Sequence, residues 1–377
     1  MKQSIPFILF AILVMIGCTP TRPSIENPNV GASSVVKSLK TIDEKGGRLS
    51  LSPDGSMIAY DKRGEDGYYD VWTMHIDGSN KKCITCAHPN LPTRNVGQPE
   101  WHPSENYLVV QVEKQTHYEG IASKLSANPG AGIYNDLWAI EYQTDRVWQI
   151  LDIPQGKAHG VLHPHFSKDG KKLSWSQCYK EVKLNDPARL AGSWYLKVAD
   201  FDIKPGGQVA LKNIQTYQPG DEVFYENHGF NPEGTKLIFT SNLHSDQSLL
   251  TADIYTMDLA TKKLNRLTTT GYNEHAQYAP DGTKIVWMTT NGNVEPDQVK
   301  EVGYTDWWLM NADGSNKKRL TYLNHKGHPD FVLWGTCAAD FDWAPTSDRI
   351  FGYYHTATLK NILQGKFREV IVSIQLK

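Results

Sequence analysis

The chain has 377 residues, with 39 Lys and Arg against 41 Asp and Glu and a formal charge of −2. That balance excludes a nucleic-acid surface, which needs a basic field to meet phosphates, and no run of like charge is long enough to act as an interaction tail. The length suits one large domain and does not by itself demand two.

The N-terminus reads as an address. Lys2 precedes a mostly apolar run over residues 5–17, which is too short to span a bilayer and fits a secretory h-region. The run ends at Met15-Ile16-Gly17-Cys18, which resembles the bacterial lipobox, where a small residue precedes a lipid-modified cysteine. The resemblance implies a signal peptide over residues 1–17 and a lipid on Cys18. Thr19 in the next place implies the outer membrane. An ordinary signal peptide or a short anchor is the alternative. Residues 18–33, rich in Pro, Asn, Ser and Gly, are expected to be a flexible tether to a folded unit over 34–377.

A strand-like segment at residues 35–42 stands alone, ahead of a pattern written six times: a β-type run, an aromatic or large apolar residue, and a Pro-Asp-Gly-like turn. The copies are Leu51-Ser-Pro-Asp-Gly55, Trp101-His-Pro-Ser-Glu105, Phe166-Ser-Lys-Asp-Gly170, Phe230-Asn-Pro-Glu-Gly234, Tyr278-Ala-Pro-Asp-Gly282 and Trp343-Ala-Pro-Thr-Ser347. They recur about every 48 to 65 residues, a period that signals a propeller or solenoid. In the fifth copy, strands are predicted at residues 275–278, 284–288, 306–310 and 318–321, with turns at Pro280-Asp-Gly282 and Asp313-Gly-Ser315. The sixth copy lacks its fourth strand, and residues 35–42 are expected to supply it, closing a ring of six four-stranded blades with only short edges.

This grammar resembles the PD40, or WD40-like, repeat of TolB-type six-bladed propellers, carried by Ser52-Pro-Asp-Gly55, by the run from Asp306-Trp-Trp to Gly314-Ser-Asn316, and by Arg319-Leu-Thr321. The resemblance covers roughly residues 35–377 and implies an all-β six-bladed β-propeller. TolB itself carries an additional N-terminal α/β domain for which this chain has no room, so a role in the Tol–Pal system is not expected.

Four cysteines follow Cys18. Cys83-Ile-Thr-Cys86 has the spacing of half a zinc knuckle without its second half, so a local disulfide or two plain thiols is expected, with Cys178 and Cys337 left over.

Strand direction locates a site. If the chain enters each innermost strand at one face, called T here, the loops from second to third strand also lie at T. The long insertions fall in those loops, at residues 113–135, 179–193, 291–305 and 355–368, and insertions gathered on one face mark a binding face. The strand starts are polar in two columns. Five places before the Pro position stand Arg48, Gln98, His163, Asn227, His275 and Asp340. Three before it stand Ser50, Glu100, His165, Gly229, Gln277 and Asp342. Six innermost strands converging on an axis would gather these groups at the mouth of a wet channel.

Three readings of that funnel stand side by side. A water-filled channel would let the polar groups satisfy one another. A divalent metal ion, the one cofactor considered, would be held by His163, His165, His275 and Gln277, since imidazole with oxygen donors suits Zn or Mn. A bound ligand would meet Arg48, Gln98, Glu100, Asn227, Asp340 and Asp342. His102 and His228 are assigned local structural roles. Trp72, Trp138, Trp194 and Trp308, with Tyr255, share a third-strand column and are expected to pack between blades. Asp70, Asp136, Asp253 and Asp306 form a structural column beside them, and Tyr118, Tyr134, Tyr304 and Trp334 remain as loop aromatics open to a ligand.

The expected function is a monomeric, lipid-anchored binding or scaffold propeller of the bacterial envelope, holding a peptide, protein or glycan at the channel mouth. The alternative is a metal-dependent polysaccharide lyase. Oligogalacturonate lyases have a related propeller with a His/Gln metal site, to which His163, His165, His275 and Gln277 are similar in type, and Arg48 could pair with a uronate carboxylate. A prolyl-peptidase reading fails because the chain has no Gly-x-Ser-x-Gly elbow.

Overall fold

The computed structural model describes residues 25–26, 33–117, 120–181, 191–245, 247–295, 303–332, 335–356 and 368–377. The signal peptide, Cys18, Tyr118 and Trp334 lie outside these.

Six four-stranded antiparallel sheets make up a propeller. Ile25–Glu26 pairs in parallel with His325–Lys326 outside the blades, and of the blade strands β1 (Val36–Asp43) comes first in the chain. Blade one follows with β2 (Leu49–Leu51), β3 (Met57–Arg63), β4 (Tyr69–His75) and β5 (Lys82–Cys83), and blade two with β6 (Val96–Trp101), β7 (Tyr107–Glu113), β8 (Asn135–Glu141) and β9 (Arg146–Leu151). Blade three is β10 (Gly160–Phe166), β11 (Lys172–Lys180), β12 (Ser193–Ile203) and β13 (Val209–Tyr217). Blade four is β14 (Tyr225–Phe230), β15 (Lys236–Ser241), β16 (Asp253–Asp258) and β17 (Leu264–Arg266). Blade five is β18 (Asn273–Tyr278), β19 (Lys284–Thr289), β20 (Asp306–Asn311) and β21 (Lys318–Arg319). Blade six holds β22 (Cys337–Trp343), β23 (Arg349–Thr356) and β24 (Arg368–Leu376), and takes β1 as its outer strand, with Leu39 opposite Ile374. The two ends of the domain thus meet in one sheet, as the missing fourth strand of the last repeat requires.

The repeated turn has a local cause. Gly55 sits at φ 72°, a conformation that costs a residue with a Cβ. Asp54 Oδ1 accepts the Ser52 hydroxyl at 2.6 Å and the Ser56 N–H at 2.9 Å. The aspartate column is a second repeated device. The Thr85, Thr268 and Thr321 hydroxyls donate to Asp70, Asp253 and Asp306, while each accepts the N–H of the residue after that aspartate. This clasp ties the short outer strands to the third strands.

Core packing lies between blades, where Val109 and Leu137 of blade two meet Val161 and Trp175 of blade three in one cluster. Trp194 and Tyr255 of the third-strand column are buried. Trp72 and Trp308 are half-buried, with Lys62 and Arg319 laid over their faces at 4.4 and 5.1 Å. Cys83 and Cys86 form a disulfide, and Cys178 and Cys337 are buried thiols. Among the described residues no helix is long and apolar enough to cross a membrane.

Candidate functional site at the channel mouth

One irregularity builds the site. In blades two to six the innermost strand slips register against its neighbour, between Gly97 and Glu100, Leu162 and His165, Asn227 and Phe230, Glu274 and Gln277, and Ala338 and Phe341. Such bulges insert an unpaired residue and re-aim its side chain. In three blades that residue is left-handed and not glycine: Gln98, His163 and His275 sit at φ 49°, 50° and 49°. Strain of this kind persists only where the surroundings over-determine it.

The bulges sort the two polar columns into two tiers. The upper tier opens into a cavity of about 280 Å³, lined by Arg48, His163, His275 and Asp340 from strand starts, and by Tyr68, Lys124, Asn128, Ala191 and Leu249 from second-to-third loops. The lower tier grips neighbouring blades. Glu100 accepts the Phe166 N–H at 3.3 Å, Asp342 the Leu51 N–H at 2.7 Å, and Ser50 Oγ the Trp101 N–H at 3.2 Å. Gln277 Nε2 donates to the Phe341 carbonyl at 2.7 Å. Asn227 belongs with this group: its Nδ2 donates to the His163 carbonyl at 2.8 Å. The His228 ring accepts the His275 N–H at 3.2 Å and so bridges blades four and five. Each of the six blade interfaces is spanned in this way at the axis.

Within the upper tier, Arg48 is committed to Asp61 through two contacts of 2.6 and 3.1 Å, and its guanidinium lies 4.9 Å from the Tyr69 ring centre. Burial opposes the Arg48 charge, but Asp61 and then Tyr353 outweigh it and raise its pKa. Asp61 also accepts the N–H of Gln98 at 3.0 Å, which pins that bulge. Gln98 Nε2 donates to His163 Nδ1 at 3.3 Å and to Asp340 at 3.2 Å. With Nδ1 accepting, His163 carries its proton on Nε2, which faces Glu226 at 2.6 Å. Burial, only partly offset by Asp340, pushes the His163 pKa down to about 3, so this is a neutral imidazole.

His275 is its opposite. Burial disfavours its charge, but Asp340, Glu274 and Glu226 outweigh burial and raise its pKa to about 10. Its Nδ1 is 3.3 Å from Asp340 and 3.8 Å from Glu226, and its Nε2 is 3.4 Å from Glu274. Glu274 is pushed well up by burial and then by Glu226, to which it is hydrogen-bonded. Lower down, His165 Nδ1 lies 3.5 Å from Glu100, which outweighs burial and raises its pKa.

The structure brings His163 and His275 together, with ring centres 5.3 Å apart, and joins Glu226 and His228 to them. His165 and Gln277 stay in the lower tier. One ligand atom from each of His163, Glu226, His228 and His275 falls within 4.8 Å of the others. The donors fit a metal: three imidazoles and a carboxylate suit Zn or Mn, and the buried His275 Nδ1 makes no well-aligned hydrogen bond among the described residues. A bound ion would displace the His275 proton.

Strict alternation along β14 and β18 hides Glu226 and Glu274, because the bulge restores the residue before it to the channel side. The visible trace was a run of consecutive polar residues, Glu226-Asn227-His228 and Glu274-His275, in strands that ought to be buried. Of the loop aromatics, Tyr134 is buried and stacked on His117 at 4.3 Å, and Tyr304 is buried too.

No protein-family model matches the chain. Among solved structures it is similar to TolB from Acinetobacter baumannii, with a TM-score of 0.52 at 15% identity over 86% of this chain and 66% of that one. The chain therefore spans just under two thirds of that TolB, and the likeness is one of fold, the six-bladed TolB-type propeller. An oligogalacturonate lyase in complex with manganese gives a TM-score of 0.48 at 12% identity, over 95% of this chain and 99% of that one. The oligogalacturonate lyase of Vibrio parahaemolyticus gives 0.48 at 10%, over 91% and 98%.

Proposed function

We propose that this propeller is an envelope binding protein, tethered by lipid on Cys18 through residues 18–33, that holds a peptide, protein or glycan segment at the face-T mouth of its channel. One observation carries the reading. The cavity of about 280 Å³ is walled both by polar strand starts and by loop residues of several blades, the concave, mixed polar and apolar surface that small binding sites share.

A second reading rests on the His163, Glu226, His228 and His275 cluster. There the protein would be a metal-dependent lyase acting on a uronate polysaccharide. A divalent ion in that cluster would supply Lewis-acid polarisation of a substrate carboxylate. Elemental analysis of protein purified without chelator, beside a His163→Ala/His275→Ala double variant, separates the two. Metal near one equivalent, lost in the variant, favours the lyase, which an oligogalacturonate assay for the new unsaturated bond then checks. Metal in neither sample favours the binding protein.

A further inference from the structure

Blade six carries a second constellation on the wall of the same cavity. Cys337 opens β22, His355 lies near the end of β23 and Glu369 near the start of β24. Cys337 is the register partner of His355, and His355 that of Glu369. Residues directly opposed across antiparallel strands point to one face of the sheet, so thiol, imidazole and carboxylate stand abreast, and all three line the cavity.

Their contacts suit a nucleophile and its base. His355 and Cys337 are opposed register partners. Cys337 Sγ lies 3.7 Å from the Ala338 carbonyl and 3.5 Å from the Thr305 hydroxyl, whose proton goes to that same carbonyl at 2.8 Å. Glu369, behind His355, accepts the Tyr69 hydroxyl at 3.1 Å, which holds the carboxylate in place. Burial opposes a charge on His355, but Cys337 and then Glu369 outweigh it and raise its pKa. The other thiol shows the contrast. Cys178 is sealed in the core away from this cavity, and burial pushes its pKa up to about 12.

We propose that Cys337 is a nucleophile served by His355 as general base, with Glu369 positioning the imidazole, and that the centre accepts the carbonyl carbon of an ester or thioester. His355 takes the thiol proton as Sγ bonds to the carbonyl carbon. The carbon–oxygen or carbon–sulfur bond to the leaving group breaks, and the leaving group takes that proton. Water then attacks the acyl-Cys337 thioester with its proton passing to His355. The Sγ–carbon bond breaks and the thiolate recovers the proton, so one water is consumed per acid released. None of these residues belongs to the histidine cluster, and the reaction needs no metal.

The test uses the full chain and p-nitrophenyl acetate, with the acetyl group located by peptide mass mapping and chelator present throughout. The expected result is one acetyl on Cys337, with nitrophenolate release falling at least about tenfold in Cys337→Ser and in His355→Gln, and unchanged in Cys178→Ser. Acetylation only at lysines, or a His355→Gln protein reacting at the wild-type rate, overturns the proposal. Should the melting curve show His355→Gln unfolded, iodoacetamide labelling of the wild type decides. Cys337 reacting at least as fast as free N-acetylcysteine at the same pH supports it, and slower reaction overturns it.

Discussion

The His275 imidazole and the Asp340 carboxylate face each other at 3.3 Å across the interface of blades five and six. The pair forms despite burial of both groups. His275 is raised to about 10, and Asp340, which burial would raise, is held well below the usual carboxylate range by His275 and His163. Each charge is tolerated at this depth because the other is present.

Asp340→Asn should therefore cost more than a surface change. The variant leaves the His275 charge beside Glu274 and Glu226 alone and weakens the contact with Gln98. A loss of roughly 3 kcal/mol is expected, read from urea unfolding at neutral pH. The sign of the pH dependence also follows. With the folded pKa of His275 above its unfolded value, the wild-type contribution is full below about 6.5 and is lost as pH rises toward 10. In Asp340→Asn that alkaline loss should shrink. A variant as stable as the wild type with an unchanged pH profile would contradict the pairing.

Asp342 should act in the other direction. Burial, and then Glu100, push its pKa to about 7 although the Leu51 and Trp343 N–H groups donate to it. A carboxyl protonated in the fold and ionised in the unfolded chain stabilises least at high pH. Its contribution should fall as pH rises from about 3.8 through 7. Asp342→Asn, which carries no titrating proton, should flatten the stability profile over that window. Thermal unfolding across the same pH range would show it, and an unchanged slope would count against the raised Asp342 pKa.

The left-handed backbone at His163 can be separated from its side chain. His163→Ala and His163→Gly both delete the imidazole and its contact with Glu226, but only glycine adopts φ near 50° without strain. The glycine variant should be the more stable by roughly 1 kcal/mol. At an ordinary strand position the order would reverse, so calorimetry on the pair tests the bulge itself.

The sequence alone determined the ring. Six spaced turns, each with a proline or glycine and three of them with an aspartate (Asp54, Asp169, Asp281) that accepts a backbone N–H of its own turn, fix the strand boundaries of each blade. An orphan strand ahead of an incomplete last repeat leaves one way to close the circle, through β1 on β24. These are local preferences and a count, and both can be read along the chain. It also put Arg48, His163, His275 and Asp340 in one column, because equivalent places in a repeat converge on the axis. What only the tertiary structure decided is which neighbours join them. The bulges in β14, between Asn227 and Phe230, and in β18, between Glu274 and Gln277, break the two-residue period, bringing Glu226 and Glu274 to the channel while Gln277 and Asn227 turn to grip adjacent backbones. The Cys337, His355 and Glu369 row likewise depends on pairing register between strands. Register and bulges are set by contacts between distant segments, so the chemistry at the mouth rests on interactions that no stretch of sequence contains by itself.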